Sequence, residues 1–492
     1  MLISVFSAVA PSCKLVVYGQ WFSMSKFTYF ILAAAAVWGS ITADAQDITA
    51  EVGRSDGSGV SIKAATARPL KKLSFVLERA GAAGLGKRIS DVEAFGPDGA
   101  AVAIRKFADG EYVSEQEFKE FSYRVDLSPR SNASAASVSW LLPQKGILMP
   151  GDLLPENAGS SAKLTVRIET PTAKRDGGSS FDIEDIGRSV IYVGSQWRRL
   201  DGGFFDVMLA GDWKFEDREA VQFAQEIFAS YEKMFGGLPD PRPTIALTNF
   251  PQPAKAESWQ AETRGANVTI VSADMNFATQ SRQRLHEQLR HEIFHLWMPN
   301  AVRLKGNYDW FYEGSALYVS LRLGLELNRI RFEDLLDTIS RAYNIDAIQP
   351  ERSSLIEASK MRWAGMDTHI YARGLLTAFM CDVQMLSRSN GRHSATDLIG
   401  EVFRQGLRDP NVEANELILR KMRQYPELNS VLNRAVLSGG KLDITLEMAA
   451  AGLEDGGGER IRLRVRQKPT RRQNAILDKL GYNNWRKLSR NK

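Results

Sequence analysis

Hydrophobic and polar residues alternate along much of the chain between Gln46 and about Ser189. Clear examples are the stretches Phe121 to Leu127 and Leu164 to Ile168. A period of two is typical of strands with one buried face, and turn signals such as Pro97-Asp98-Gly99 separate these stretches without a long helical pattern between them. The pattern predicts an N-terminal β-sandwich-like domain over residues 46–190.

The pattern changes in the second half of the chain. Asp217 to Phe235 carries apolar residues at helical spacing, while Thr244 to Leu247 and Val268 to Val271 are typical of short buried strands. From Ser281 to about Leu437 helical patterns dominate. We therefore predict an α+β fold, in which a mainly helical second domain at residues 191–442 follows the β domain.

The remaining residues, 443–492, are a short basic C-terminal segment. Arginines alternate with apolar residues from Arg460 to Arg466, directly after Gly456 to Gly458. This alternation places one charged face on a strand, and we interpret that face as a solvated edge that prevents aggregation. Contact with anionic lipid headgroups is the alternative interpretation.

The N-terminus is typical of an export signal. Met-Ser-Lys at Met24 precedes an apolar stretch from Phe27 to Ile41, and the small residues Ala43-Asp44-Ala45 follow. We predict a leader and signal peptide at residues 1–45, cleaved near Ala45, and a periplasmic or secreted protein. A membrane anchor is the alternative, but the apolar stretch is shorter than the roughly 20 residues that span a bilayer, so we expect no stable span after cleavage. A misassigned start codon would explain the residues before Met24.

Composition narrows the class of protein. With 492 residues, 44% of them hydrophobic and 25% charged, the chain is long enough for two or three domains of an ordinary soluble protein. A net charge of +5, without a dense run of basic and aromatic residues, predicts no nucleic-acid partner. Cleavage of the leader removes Cys13 and leaves Cys381 alone, so we expect no internal disulfide.

Three of the five histidines lie within ten residues. On a helix predicted from about Ser281 to Met298, His291 and His295 are four residues apart, so both imidazoles lie on one face, one turn from each other. Glu292 lies beside them at the position of a general base. His286 is one residue off this face, and we interpret it as solvated or as a neighbour of the ligands.

Two imidazoles need a third ligand. Glu313, 18 residues after His295, is the best candidate, because Asp309 can cap a second helix and the small residues Gly314 and Ala316 let that helix pack closely on the first. Zinc suits two nitrogens and one carboxylate oxygen with an open fourth position. The pentapeptide His-Glu-Ile-Phe-His alone is equally compatible with a surface helix that carries two solvated histidines, and Glu313 favours the metal site.

At these residues the sequence resembles a known family. The blocks HEIFHLW (His291 to Trp297) and DWFYEGSALY (Asp309 to Tyr318) are similar to the zinc-binding blocks of the glycyl aminopeptidase family of gluzincins. A third block, IYARGLLTAFMCDVQM (Ile370 to Met385), resembles a helix of the same family. The resemblance implies an N-terminal β domain joined to a thermolysin-like catalytic domain and, in outline, extends from about Tyr123 to Phe403.

The resemblance also implies roles. His291, His295 and Glu313 would bind one zinc ion, and Glu292 would act as general base towards a zinc-activated water and then as acid towards the leaving amine. Tyr371 would donate to the oxyanion. Without the resemblance, Tyr371 is better explained as a buried helix tyrosine.

Substrate binding is less well determined by the sequence. We predict that Asn267 to Val271 is an edge strand to which a peptide substrate adds by β-pairing. The resemblance implies that Glu262 would hold the substrate's α-ammonium, but the glycines expected before it are replaced by Ser258 to Ala261. Members of the family commonly end in a PDZ domain, which the roughly 50 residues after Asp443 do not clearly match.

The sequence therefore predicts an exported zinc metallopeptidase, with aminopeptidase activity preferred over endopeptidase activity. The alternative is a catalytically impaired protein that uses a peptidase scaffold to bind a peptide or another partner.

Overall fold

The computed structural model describes residues 47–129, 132–171, 178–349 and 353–484. The predicted leader at residues 1–45, with Met24, Cys13 and the cleavage site near Ala45, lies outside the described residues. Within the described ranges, none of the helices combines the length and the apolarity needed to span a bilayer.

The N-terminal part of the chain is rich in β-strands. In chain order its strands are β1 (Ile48–Arg54), β2 (Gly59–Ser74), β3 (Glu78–Arg79), β4 (Ala82–Ala83), β5 (Ile89–Phe95), β6 (Ala101–Val102), β7 (Arg105–Ala108), β8 (Glu111–Asp126), β9 (Trp140–Leu141), β10 (Gly146–Leu148), β11 (Ala162–Val166), β12 (Ser179–Ile183) and β13 (Ile191–Val193), with one short helix, α1 (Pro150–Leu153).

These strands form two main sheets that share a core. Eight strands form the larger sheet, in the order β12-β11-β1-β2-β8-β5-β6 with β7 also paired to β8, and three form the smaller sheet, β13-β10-β9. On β8 the side chains of Phe121, Tyr123 and Val125 are buried while Arg124 is exposed, as the alternation predicts. Apolar residues of both sheets belong to one buried cluster. The predicted β domain is confirmed.

A five-stranded sheet begins the second part. Its strands are β14 (Arg198–Asp201), β15 (Asp206–Ala210), β16 (Thr244–Thr248), β17 (Trp259–Arg264) and β18 (Asn267–Ser272), with helix α2 (Asp217–Phe235) between β15 and β16. The strand order is β14-β15-β16-β18-β17. Our prediction of an edge strand at Asn267 to Val271 is wrong, because β18 lies between β16 and β17. The edge strand on this side of the sheet is β17, whose side chains do not alternate between buried and exposed and so gave no signal in the sequence.

Helices form the rest of the described chain. They are α3 (Ala278–Trp297), α4 (Asp309–Glu326), α5 (Phe332–Ile348), α6 (Leu355–Lys360), α7 (Asp367–Arg388), α8 (Ala395–Arg408), α9 (Ala414–Arg423), α10 (Asn429–Val431), α11 (Thr445–Ala451) and α12 (Arg471–Leu480), with a hairpin of β19 (Leu453–Asp455) and β20 (Leu463–Val465). The β-rich part followed by a mainly helical part confirms the predicted α+β class.

Helices α4 and α7 cross at two glycines. A Cβ atom built on Gly314 would lie 2.4 Å from the carbonyl carbon of Gly374. Only glycine fits at such a contact, because the neighbouring atoms are backbone and cannot move aside. Gly314 thus packs on α7, whereas we had predicted that it packs on the metal helix α3. Glu313 and Tyr371 lie beside this crossing, one residue before Gly314 on α4 and three residues before Gly374 on α7.

The C-terminal segment packs onto the helical part. Leu453, Leu463 and Leu480 are buried in the same cluster as the helices. The predicted arginine-bearing strand is present only as the three residues of β20, on which exposed Arg464 pairs with Glu454 at 2.9 Å.

Candidate metal centre

Three of the predicted site residues meet in one buried place. His291 and His295 lie on the last turns of α3, and their Nε2 atoms are 3.3 Å apart. Glu313 lies at the start of the second turn of α4. Its Oε2 atom is 3.4 Å from each of these nitrogens. The three side chains could hold a metal ion, since their donor atoms lie within 4.8 Å of one another.

The donor set fits zinc. The three atoms form a nearly equilateral triangle whose centre lies about 1.9 Å from each corner, close to the 2.0–2.2 Å of zinc–nitrogen and zinc–oxygen bonds. His295 Nδ1 lies 3.0 Å from the carbonyl of Met298. A carbonyl can only accept, so Nδ1 of the neutral ring carries the proton and Nε2 keeps its lone pair for a metal.

Glu313 is held as a carboxylate. Burial alone would raise its pKa, but the positive charge of Arg362, followed by the interactions with His295 and His291, lowers the pKa of Glu313 well below its usual value. Within the described residues, its Oε2 atom has no hydrogen-bond partner of good geometry. A buried acceptor without a partner is costly, and a cation bound between the histidines would satisfy it.

Glu292 lies beside the ligands rather than among them. Its Oε2 accepts a hydrogen bond from the Thr263 hydroxyl at 3.0 Å, while Oε1 is 3.9 Å from His291 Nε2. Burial raises the pKa of Glu292, partly offset by the two histidines. A carboxyl group that holds a proton more readily than usual, next to a metal site, suits proton transfer.

Tyr371 lies on α7 at the same site. Its ring centroid is 6.5 Å from that of His291. The hydroxyl oxygen accepts a hydrogen bond from Arg362 Nη2 at 3.0 Å. Burial raises the pKa of Tyr371 well above its usual value, so the hydroxyl keeps its proton. A guanidinium can only donate, so that proton is left for another acceptor.

Sequence reasoning missed Arg362. It lies in a single 3-10 turn, Arg362–Ala364, between α6 and α7. Its guanidinium contacts both Glu313 and Tyr371. Because the turn shows no periodicity or motif, its sequence contains no signal that would have identified this residue.

Two other residues considered from the sequence, Glu262 and His286, have polar partners of their own in the structure. Glu262 Oε1 accepts from Arg264 Nε at 2.5 Å, two residues along β17, so its carboxylate already has a cationic partner. His286 is buried, with Arg290 Nη1 2.6 Å from its Nδ1 and the ring of Phe223 against it. Our interpretation of His286 as solvated is therefore wrong.

Comparison with known proteins gives a likeness of fold. No protein-family model matches the chain. No curated protein matches its sequence. Among solved structures, an aminopeptidase N family protein from Idiomarina loihiensis is similar with a TM-score of 0.69 at 13% identity, over 86% of this chain and 82% of that one. An M1 zinc metallopeptidase from Deinococcus radiodurans has a TM-score of 0.49 at 15% identity, over 81% of this chain and 95% of that one. The first likeness extends across both the β-rich and the helical part.

Proposed function

We propose that this protein is a zinc-dependent metallopeptidase that hydrolyses peptide bonds. The observation that carries the proposal is the convergence of His291, His295 and Glu313 on one point, with Glu292 beside them. The fold likeness to an aminopeptidase N family protein supports the same class of activity.

The chain's own residues divide the work. A bound zinc ion would act as a Lewis acid on the scissile carbonyl and lower the pKa of a water molecule to about 7. Glu292 takes the proton from the attacking water, and its burial favours keeping that proton until the leaving amine accepts it. Thr263 holds one carboxylate oxygen of Glu292, which leaves the other towards His291. The Tyr371 hydroxyl donates a hydrogen bond to the carbonyl oxygen as negative charge develops on it, and keeps its proton.

A peptide substrate fits the edge strand β17. Within the described residues, β17 pairs with no strand other than β18, so its other edge can take main-chain hydrogen bonds from an extended peptide, except that the carbonyl of Thr263 already accepts from Asn300 Nδ2 at 3.0 Å. This strand lies next to the metal centre, because Thr263 contacts Glu292 and the Trp259 ring is 6.5 Å from that of His291. We favour aminopeptidase over endopeptidase activity on the basis of the family resemblance.

We place the protein in the periplasm or outside the cell. The support is the leader predicted at residues 1–45 and its cleavage site near Ala45. Sequencing the N-terminus of the protein recovered from the periplasmic and extracellular fractions tests this placement. A mature chain that begins near Gln46 is expected, and full-length protein confined to the cytoplasm would contradict it.

The function is tested by measuring zinc content and hydrolysis of aminoacyl amides for the wild type and for Glu292→Gln. We expect about one zinc per chain in both proteins and a loss of about 10²- to 10⁴-fold in turnover in the variant, because Glu292 moves protons without binding the metal. Glu232→Gln, on the exposed side of α2, is the matched control and retains activity. Turnover that survives Glu292→Gln would contradict the mechanism, whereas bound zinc without turnover on any peptide would favour the catalytically impaired binding protein.

A further inference from the structure

Arg362 reverses the usual distribution of polar and apolar residues. Its side chain is 13% exposed, while its neighbours Met361 and Trp363 are 44% and 61% exposed. Burying a guanidinium costs free energy unless its charge is paired. Leaving a tryptophan exposed to water forgoes the gain from burying it. In this short turn the charged side chain is therefore largely buried, and the two apolar side chains beside it are exposed.

The buried guanidinium is surrounded by acceptors from two helices. Nη1 lies 2.8 Å from Asp309 Oδ1, at the start of α4, and Nε lies 3.0 Å from Asp367 Oδ1, at the start of α7. Nη2 lies 3.0 Å from Glu313 Oε1 and 3.0 Å from the Tyr371 hydroxyl. The two aspartates therefore fix the orientation of the planar guanidinium independently of its contact with Glu313.

The two oxygens of Glu313 are in different environments as a result. Oε1 binds Arg362, whereas Oε2 faces His291 and His295. Without the guanidinium, the carboxylate could rotate or present both oxygens to a cation. With it, a single oxygen is directed at the point where the imidazole nitrogens converge.

Building on the function proposed above, we propose that Arg362 is a positioning residue for the metal site: by binding Oε1 of Glu313, it presents Oε2 as a single ligand oxygen beside the two histidines. Groups that orient a metal ligand are typically worth about 10- to 100-fold in metal affinity. A clamp that only joined α4 to α7 would affect stability and not affinity.

The test is zinc affinity, measured by competition with a chelator and expressed per folded molecule. Arg362→Gln is expected to weaken zinc binding by about 10- to 100-fold. Arg362→Lys keeps the charge but loses the fork, so we expect most of the same loss, and this variant serves if the glutamine variant does not fold. Arg322→Gln is the matched control, because Arg322 binds Asp382 across the far ends of the same two helices. It is expected to lower stability and to leave zinc affinity unchanged.

Three outcomes would overturn the proposal. Unchanged or tighter zinc binding in Arg362→Gln removes the role of Arg362, and full affinity in Arg362→Lys would show that charge rather than orientation matters. Equal losses in Arg322→Gln and Arg362→Gln would reduce the effect to helix packing. A wild-type chain that binds no zinc overturns the proposed function as well, whereas a wild type that binds zinc no more tightly than Arg362→Gln overturns the role of Arg362 alone. The two failures are therefore distinguishable.

Discussion

Helix α3 carries two buried histidine environments of opposite character. Near its end, burial alone would lower the pKa of His295, but the carboxylates of Glu313 and Glu292 raise it above the usual value. Nearer its start, burial lowers the pKa of His286 to about 2, and the charges of Arg290 and Arg329 add to the effect. The comparison teaches that the charges packed around a buried histidine decide in which direction its pKa moves, whether those charges lie on α3 itself, as Arg290 and Glu292 do, or on other segments of the chain.

The largest expected effect separates these two histidines directly. His295→Asn is expected to weaken zinc binding by on the order of 10³-fold, because one of three ligands to a tightly bound ion is lost. His286→Asn is expected to bind zinc like the wild type, since His286 contacts Arg290 and none of the ligands. Chelator competition on both variants measures the difference. Equal losses would show that the two ends of α3 are not independent.

Tyr371 lies beside His291, at the end of α3 that faces the carboxylates, and its role is tested by measuring turnover. Tyr371→Phe is expected to lower turnover by about 10²- to 10³-fold while zinc content is retained, because a donor to the developing negative charge is lost. In an Arg362→Gln background the same change should cost less, because the hydroxyl has already lost the group that orients it. Steady-state kinetics on the four proteins of this cycle give the coupling. Strict additivity would refute a shared role.

Glycines at the two ends of α4 offer a third contrast. Gly314→Ala is expected to destabilise the protein by about 3 kcal/mol, because the added methyl meets backbone of α7. Gly324→Ala would place its methyl 3.0 Å from the guanidinium carbon of Arg290, a side chain, and is expected to change stability by less than about 1 kcal/mol. Urea unfolding of the zinc-free proteins compares them. Equal losses would remove the special importance of the α4–α7 crossing.

Acid sensitivity is the smallest expected effect and belongs to His286. Its folded-state pKa of about 2 lies below the roughly 6.5 of an unfolded histidine, so the unfolded chain gains the proton first and stability is lost as the pH falls below about 6.5. We expect a loss of about 2 kcal/mol in the free energy of unfolding at pH 5. The carboxylate of Glu226 lies 3.5 Å from Nε2 of His286, on the side of the ring that Arg290 does not contact.

Urea unfolding at pH 7 and pH 5 measures this loss. In His286→Gln the free energy of unfolding should differ less between pH 7 and pH 5 than it does in the wild type. The exposed His393→Gln is the control and should keep the full acid loss. If both variants keep that loss, its origin lies elsewhere in the protein.

Local patterns of the sequence predicted much of the fold. The alternation in β8 and the helical spacing of α2 were confirmed, because burial of one face imposes a period on the sequence. The metal helix begins at Ala278, three residues before the predicted start, as is usual for helix ends. The position of β18 inside the sheet was not predicted, since strand order depends on pairing between distant segments and leaves no local period.

The sequence by itself determined that His291 and His295 lie on one face of a helix, one turn apart, with Glu292 between them. That follows from the helical repeat, which is a local property. Only the tertiary structure decided that Glu313 approaches this face, because the approach depends on how α4 packs against α3, and no local repeat of the sequence contains that packing. It alone also decided that Arg362 reaches Glu313, because that contact joins segments about 50 residues apart in the sequence and is created by packing rather than by any spacing.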